Sequence, residues 1–216
     1  KGKRVFIAAS PMLSNESLYL LGKLIKQSGG SGSFTVATGD EAPLPGVEDL
    51  ALRRDRAANV NGAELMGFRR NEHVLDGLYS GDVLIIADDR LDGVDPKELE
   101  AASAVIVIGT TLPAAAANAS VVLPITNFAE EEGTFTNLRG RVQRFTQAKA
   151  APGLARPSWL VLGDLLGALG LQNSFYLPSE VFAQLAKDNA DFAGLNYESL
   201  GFKGLPVLSS QAVGAA

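Results

Sequence analysis

The sequence contains no cysteine and only one histidine, His73, in its 216 residues. The absence of cysteine excludes disulfide bonds, thiolate zinc sites, iron–sulfur clusters and a cysteine nucleophile within this chain. One histidine cannot by itself supply a zinc site or a catalytic triad. The sequence therefore predicts that this chain holds no metal ion and contributes no catalytic residue.

Clustered positive charge and long apolar runs are missing as well. The net charge of −5 argues against a nucleic-acid partner, because binding to a phosphate backbone depends on clustered lysine and arginine. The uncharged stretch 101–129 is rich in alanine and is broken by Gly109, Pro113 and Pro124, so no direct membrane insertion is expected. Neither a G-x-G-x-x-G dinucleotide fingerprint nor a P-loop is present.

The apolar stretches that are present alternate with helical patterns, which indicates a parallel sheet joined by right-handed crossovers. The predicted fold is a Rossmann-like three-layer α/β/α sandwich with a mostly parallel sheet and an irregular C-terminal extension. It divides into an α/β domain over 1–172 and a helix plus irregular tail over 173–216. The predicted buried strands are RVFIAAS (4–10), SFTVATG (33–39), DVLIIADD (82–89), AVIVIGT (104–110) and SVVLPI (120–125).

Capping residues and apolar periodicity predict the helices. Ser14 or Asn15 can cap a first helix that Gly29 and Gly30 end. RVQRFTQA (141–148) is predicted as a strand or hairpin arm, and the stretch from Gly194 onward as an irregular tail. Further helices are predicted at 47–52, 95–103, 157–170 and 179–192, and a short helix or turn is predicted at 111–119.

Two strand ends carry residues that could take part in chemistry. Asp88 and Asp89, with Asp92 nearby, resemble a carboxylate metal site, but adjacent acids after a strand more often cap backbone amides in a solvated turn. Thr110 and Thr111 follow another strand and could offer hydroxyl and N–H donors to an anion, although a plain turn is the simpler interpretation.

The segment FAEEEGTFTNLRGRVQRFTQA (128–148) changes sign abruptly, with three acids followed by three arginines within six residues. Arg139, Arg141 and Arg144 could bind a phosphate, with threonine and asparagine side chains of the GTFTN run as further donors. Equally, these arginines could pair with the acids 130–132 in a surface network. Both interpretations stay open, and residue chemistry alone favours the surface network.

The order of motifs in this region resembles the molybdopterin oxidoreductase superfamily, in which A-D-V-V-L-P, E-x-x-G-T-F-T-N and G-R-V-Q follow one another. The resemblance extends over most of residues 59–172 and includes NVNGAELMGF and YSGDVLIIADD. Within that superfamily, Gly140-Arg141 and the closing FAGLNYESLGFKG are most similar to the large peripheral-arm subunit of NADH:quinone oxidoreductase, respiratory complex I. Molybdenum enzymes such as formate dehydrogenases usually carry a second arginine where Gly140 stands.

The resemblance implies that the chain is the C-terminal part of such a subunit, a structural and docking domain that supports electron transfer from NADH to quinone without a redox centre of its own. Its partners would be other subunits of the peripheral arm, on the cytoplasmic face of the plasma membrane. No cofactor is expected in this chain, and the iron–sulfur clusters would lie in a missing N-terminal region. A vestigial cofactor cleft is expected at Thr110, Thr111, Gly133, Thr134, Asn137, Arg139 and Arg141.

The resemblance also supports an alternative function. The chain could be the domain that holds a pterin cofactor in a working molybdenum or tungsten oxidoreductase, such as a formate dehydrogenase. A metal-ligating cysteine, selenocysteine or serine upstream of the chain would then be required, because the family places that ligand before these motifs.

Overall fold

The computed structural model describes residues 3–171 and 175–209, and a six-stranded parallel sheet forms its centre. The five α-helices found there are α1 Asn15–Ser28, α2 Val60–Leu65, α3 Ser158–Ala168, α4 Pro178–Asp188 and α5 Tyr197–Leu200. The strands are β1 Val5–Ala9, β2 Ser31–Phe34, β3 Ala42–Leu44, β4 Val47–Leu52, β5 Arg69–Arg70, β6 Val83–Ala87, β7 Ala104–Gly109, β8 Val121–Pro124, β9 Gly133–Thr136, β10 Arg141–Phe145 and β11 Leu205–Pro206.

The parallel sheet has the strand order β5-β2-β1-β6-β7-β8. Every neighbouring pair in it is parallel. Counting only these six strands along the chain, the order is that of the dinucleotide-binding fold, with the direction of winding reversing between β1 and β6. The predicted Rossmann-like α/β fold is therefore confirmed.

The core lies on both faces of the sheet, because successive strand residues point to opposite sides. Ile7, Ile85 and Ile108 face α1, α3 and α4 in the larger apolar cluster. Phe6 and Leu84 face the opposite side, which is covered by the loop at 74–75 and by 3₁₀ helices Pro96–Ala101 and Ala114–Ala116. The near-continuous apolar character of these strands follows from burial on both faces.

Helix α1 begins and ends as its sequence predicts. The Ser14 side chain accepts a hydrogen bond from the Ser17 backbone N–H, and Gly29 adopts the left-handed conformation (φ 64°) that closes the C-terminus. The four residues 14–17 are almost completely buried. A helix N-terminus made of buried polar side chains requires internal partners, and these are supplied by distant parts of the chain.

Several predicted elements differ from the observed ones. The predicted helix at 47–52 is wrong: β4 pairs antiparallel with β3, because Pro45 and Gly46 (φ 78°) make a turn that reverses the chain. The predicted helix at 95–103 and the predicted short helix or turn at 111–119 are found as shorter 3₁₀ helices. The second predicted strand ends at Phe34, after which the chain leaves the sheet and Thr38 forms a bridge with Asp55.

A second, three-stranded antiparallel sheet lies after the parallel one, in the order β11-β10-β9. The predicted hairpin arm at 141–148 is thus β10, paired with β9 from Val142 opposite Thr136 to Phe145 opposite Gly133. The C-terminal segment combines irregular backbone with the one-turn α5 and the short β11. Phe182, Phe192 and Tyr197 join the larger apolar cluster, so this segment packs against the α1 side of the parallel sheet.

Two parts of the predicted domain organisation cannot be compared with the structure. The boundary between residues 172 and 173 and the last residues of the predicted tail, 210–216, lie outside the described residues, so the two-domain division stays a prediction.

Strand β8 forms one edge of the parallel sheet and leaves Val121 and Val122 about half exposed, at 45% and 47%. In the described ranges, no helix is both long enough and apolar enough to span a lipid bilayer.

Candidate functional site

An open cleft of about 920 Å³ lies at the carboxyl edge of the parallel sheet, where the winding reverses. The segments that follow β1, β2, β6 and β7 all contribute to its walls. This is the position at which open α/β sheets bind ligands, because the loops after two oppositely wound strands separate there. Its lining includes Ser10, Arg56, Asp88, Asp89, Arg90, Asp92, Thr110 and Thr111.

Asp88 is constrained by both its backbone conformation and its side-chain hydrogen bonds. Its backbone has a positive φ of 55°, which is uncommon for a residue with a side chain. One carboxylate oxygen, Oδ1, accepts hydrogen bonds from the Thr110 backbone N–H at 2.7 Å and from Thr110 Oγ1 at 2.8 Å. Burial raises the pKa of the Asp88 carboxyl, and the two Thr110 donors oppose that rise. Asp88 thereby joins the ends of β6 and β7 across the cleft floor.

Asp89 and the cationic side chains complete the walls. Asp89 Oδ1 accepts the Leu91 backbone N–H at 2.8 Å, and burial raises the pKa of this carboxyl, with Asp92 and Asp88 adding to the rise. The Arg56 guanidinium donates to the backbone oxygens of Arg53 and Asp40. The cleft therefore presents carboxylate acceptors on its floor and guanidinium groups at its side. The carboxylates can accept hydrogen bonds from N–H groups of a heterocycle, and the guanidinium groups can donate to an anionic group beside it.

The acids of the cleft do not make a metal site as it stands. Asp92 is exposed and lies 3.8 Å from the Arg90 guanidinium, away from the Asp88 interaction with Thr110. Within residues 3–171 and 175–209, no three or more histidine, aspartate or glutamate side chains are grouped to hold an ion. The capping of Thr110 and Leu91 amides agrees with the interpretation of this strand end as a turn whose acids satisfy backbone N–H groups.

A second polar cluster lies at the N-terminus of α1 and is closed to solvent. We call it the acid clasp, and define it as Glu16 and Glu131 together with the residues that donate to them: Thr126, Thr134, Ser158 and Tyr197. All six are buried, with exposures of 8% or less. These residues come from α1, the loop before β9, β9 itself, the start of α3 and α5, so the clasp joins five parts of the chain.

Glu16 accepts three hydrogen bonds from the later part of the chain. Its Oε2 accepts the Thr134 backbone N–H at 2.9 Å, while Oε1 accepts Thr134 Oγ1 at 2.9 Å and the Tyr197 phenol at 2.8 Å. Burial raises the pKa of Glu16 from its ordinary 4.5 to about 7, against the lowering effect of these donors. The carboxyl therefore titrates near neutrality while holding β9 and α5 against α1.

Glu131 serves the start of α3 in the same way. Its Oε2 accepts the Ser158 backbone N–H at 2.6 Å and Thr126 Oγ1 at 2.9 Å, and its Oε1 accepts Ser158 Oγ at 2.8 Å. Burial, with a smaller contribution from the nearby Glu16 carboxyl, raises its pKa to about 7 against the lowering effect of the Ser158 and Thr126 donors. A carboxylate at a helix N-terminus satisfies backbone donors that the helix itself leaves open.

Two asparagines extend the polar contacts beside the clasp. Asn15 donates to Thr134 Oγ1 at 3.0 Å and accepts from Thr136 Oγ1 at 3.2 Å. Asn59 accepts the Thr136 backbone N–H at 2.7 Å and donates to the Leu13 backbone oxygen at 2.8 Å. The inner strand of the hairpin is thus attached to α1 and to the start of α2 through side chains rather than through a strand ladder.

The hairpin turn and its arginines lie outside both clusters. The Asn137 side chain accepts the backbone N–H groups of Arg139 and Arg141, which shapes the turn that ends at Gly140 (φ 68°). The Arg139 side chain is exposed. Arg141 donates to the Gly204 backbone oxygen at 2.7 Å and so holds the C-terminal segment.

The structure does not bring the seven predicted cleft residues together. Thr110 and Thr111 line the cleft, Gly133 and Thr134 belong to the region of the acid clasp, and the remaining three lie at the hairpin turn or on β10. Gly133 is needed for close packing, since a Cβ there would lie 2.9 Å from the Phe145 ring and from Ser14 and 3.1 Å from Glu16 Oε2.

The alternative surface network is found only in part. Arg144 pairs with Glu132 at 2.7 Å, as that interpretation requires, while Glu130 pairs with Lys149 instead of an arginine. Glu131 differs from both, because its carboxylate caps the start of α3. The sequence analysis also missed Glu16, Asn59 and Ser158. The run Ser-Asn-Glu-Ser at 14–17, directly after a buried strand, was the available signal, although it also fits an ordinary exposed helix cap.

An open cleft at the reversal point of a parallel sheet is a feature shared with α/β proteins that bind cofactors or nucleotides. Residues 56–168, slightly more than half of the chain, match the family model described as molybdopterin oxidoreductase. The chain therefore belongs to the molybdopterin oxidoreductase family.

Relatives within curated proteins include two subunits from Methanococcus maripaludis. The F420-dependent formate dehydrogenase 2 subunit alpha is 39% identical over 128 residues, which are 58% of this chain and 19% of that protein. The F420-dependent formate dehydrogenase 1 subunit alpha is 33% identical over 127 residues, again 58% of this chain and 19% of the relative. The chain thus spans about a fifth of the length of these relatives. Their names support the family and leave the complex I assignment a prediction.

Proposed function

We propose that this chain is the part of a molybdenum or tungsten oxidoreductase, of the formate dehydrogenase kind, that holds one side of a pterin cofactor. The observation that carries the proposal is the open cleft at the reversal point of the sheet, in a chain of the molybdopterin oxidoreductase family whose relatives are formate dehydrogenases. The chain would contribute binding and orientation, and residues beyond it would supply the metal ligand.

The residues of the cleft fit such a group on chemical grounds. A pterin ring carries a ring N–H beside an exocyclic amino group, and carboxylates such as those of Asp88 and Asp89 accept that pair of donors. Thr110 holds Asp88 in place through two hydrogen bonds, and Arg56 lies where it could offset the charge of a phosphate. When bound, the metal of the cofactor would supply the two-electron redox chemistry.

The buried N-terminus of α1 determines where in the cleft a cofactor would bind. In the dinucleotide-binding fold a pyrophosphate normally lies against the N-terminus of the first helix. Here the N-terminus of α1 is buried, and Glu16 and the β9–β10 hairpin cover it. A bound cofactor would therefore contact the loops after β6 and β7 rather than the end of α1, which makes Asp88 and Thr110 the residues that orient it.

The test uses the full-length protein that contains this chain. Molybdenum, tungsten and extractable pterin would be measured for the unaltered protein and for Asp88→Ala, with Arg139→Ala as a matched control outside the cleft. We expect near-stoichiometric metal and pterin in the unaltered protein and the control, and a reduced pterin content in Asp88→Ala. Full-length protein that contains neither metal nor pterin would contradict the proposal.

A second candidate is the complex I interpretation, in which the cleft is a retained scaffold and the chain docks other peripheral-arm subunits on the cytoplasmic side of the membrane. Gly140 favours it, because its φ of 68° would strain the arginine that molybdenum enzymes of the family usually carry there. Under this candidate the full-length protein contains iron–sulfur clusters, lacks molybdenum, tungsten and pterin, and co-purifies with NADH oxidation activity. The same elemental analysis therefore separates the two candidates.

A further inference from the structure

The acid clasp holds two carboxyl groups away from water in the part of the fold where most elements meet. Glu16 and Glu131 are 0% and 5% exposed. Glu16 binds Thr134, 118 positions later in the chain, and Tyr197, 181 positions later. Glu131 binds Ser158 at the start of α3. Any change in the charge of these two groups therefore acts on the attachment of the hairpin, α3 and α5 to α1.

The charged groups around the clasp do not neutralise it. No ion pair found in the described ranges includes Glu16 or Glu131. Arg144 on β10 faces the clasp from behind the Tyr197 ring, 4.5 Å from its centroid, and its guanidinium already pairs with Glu132. The two clasp carboxyls repel each other when both are ionised, and helix N-termini offset this only partly.

A chain of hydroxyl groups leads from the N-terminus of α1 to Glu131. Ser14 Oγ donates to Ser17 Oγ at 3.1 Å, and Ser17 Oγ lies 2.6 Å from Ser158 Oγ, which contacts Glu131. Hydroxyl hydrogens rotate to suit their partners, so this chain can donate toward an ionised Glu131 or accept from a protonated one. The arrangement therefore tolerates both protonation states, at different free energies.

From this cluster we propose that Glu16 and Glu131 form a pH-dependent switch. When the two carboxyl groups are protonated, the β9–β10 hairpin, α3 and α5 are held against α1, and when they lose their protons these contacts weaken. The consequence concerns how firmly this side of the fold is closed, and it does not depend on which of the two functions proposed above is correct.

The direction of the pH effect follows from linkage between protonation and opening. Both acids have folded pKa values of about 7, raised by burial from an ordinary 4.5 that they regain when exposed to water. A raised folded pKa stabilises the closed form fully below the exposed value of 4.5, and this stabilisation is lost as the pH rises to about 7. Raising the pH across neutrality should therefore promote opening, by about tenfold for each acid between about pH 6 and about pH 8.

The experiment measures amide hydrogen exchange by mass spectrometry in the full-length protein at about pH 6 and about pH 8, corrected for the intrinsic effect of pH on exchange. Peptides from 133–145 and 197–205 report on the clasp, and peptides from β1 and β6 serve as internal references. We expect protection to fall about tenfold or more in the first set and to change much less in the second.

Matched variants separate the clasp from a general pH effect. Glu16→Gln and Glu131→Gln, each uncharged and of similar shape, should each remove a large share of the pH dependence. Glu132→Gln, at the adjacent and only partly buried position, should leave it intact. Infrared spectra of the unaltered protein give an independent measurement, with a band from protonated carboxyl groups at neutral pH. Equal pH dependence in all variants, or the absence of that band, would overturn the proposal.

Discussion

The acid clasp and the open cleft are two carboxylate-rich regions near the same edge of one sheet, and they have opposite relations to water. In the clasp every oxygen of Glu16 and Glu131 accepts from a buried protein donor, so the cluster is complete without a ligand. In the cleft Asp88 and Asp89 each accept from one backbone amide, Asp88 also accepts from the Thr110 hydroxyl, and both border about 920 Å³ of open space. The difference shows that acidic composition alone does not distinguish a closed cluster from an open cleft, whereas the accessibility of the acceptors does.

The comparison predicts that stability depends far more on the closed region than on the open one. The largest effect is expected for Asn59→Ala, beside the clasp, which leaves the Thr136 N–H and the Leu13 carbonyl without their present partner. Two buried backbone groups without partners should lower the free energy of unfolding by about 3 kcal/mol. Denaturant unfolding of the variant measures this.

Asn61→Ala is the matched control for that variant. The Asn61 side chain donates a single, partly buried hydrogen bond to the Asn137 carbonyl. Its loss should cost about 1 kcal/mol or less. Equal losses of unfolding free energy in the two asparagine variants would mean that burial of the Asn59 hydrogen bonds does not increase their contribution to stability.

An intermediate effect is expected for Arg144→Ala, at the border of the closed region. Arg144 contacts the Tyr197 ring, pairs with Glu132 and donates to the Tyr197 carbonyl at 3.1 Å. Losing these contacts should cost about 1–2 kcal/mol. Arg139→Ala, in the same segment but exposed, should change stability by no more than about 0.5 kcal/mol. Thermal or denaturant unfolding of both variants distinguishes a held arginine from a solvated one.

The smallest effect on stability is expected in the cleft itself. Thr110→Val removes one side-chain hydrogen bond to Asp88 and keeps the backbone one, so it should cost about 0.5–1 kcal/mol. Under the cofactor proposal the same change should lower the pterin content of the full-length protein, whereas Asn61→Ala should not. A Thr110→Val variant with a much larger loss of stability would show that the cleft is a structural part of the fold.

Local signals explain what the sequence could predict. Ser14 and the pair Gly29–Gly30 mark the ends of α1 within a few residues, and the apolar strands are visible without their neighbours, because burial on both faces leaves a continuous pattern. The turn at Pro45–Gly46 was also a local signal, and its weight was underestimated in favour of a helix at 47–52. This error arose because a turn preference and a helix preference competed within the same short segment.

The clasp could not be predicted in the same way. Glu130, Glu131 and Glu132 are adjacent and chemically identical, yet the first pairs with Lys149, the second caps α3 and the third pairs with Arg144. Only the tertiary fold decides these partners. The family motif indicated that this segment matters, but it did not indicate that its middle acid is buried or that Glu16, more than a hundred residues earlier, shares its surroundings.

The distance in sequence between Glu16 and Thr134 has a consequence for folding during synthesis. Their hydrogen bond joins positions 118 residues apart, so it cannot form until the ribosome has released the later strand. At typical synthesis rates of about 5–20 residues per second, that delay is roughly 6–24 s. During this interval the first helix has been made but its buried acid is still hydrated, and Tyr197, a further 63 residues on, arrives later again. The buried hydrogen bonds of Glu16 are therefore among the last contacts to form during synthesis.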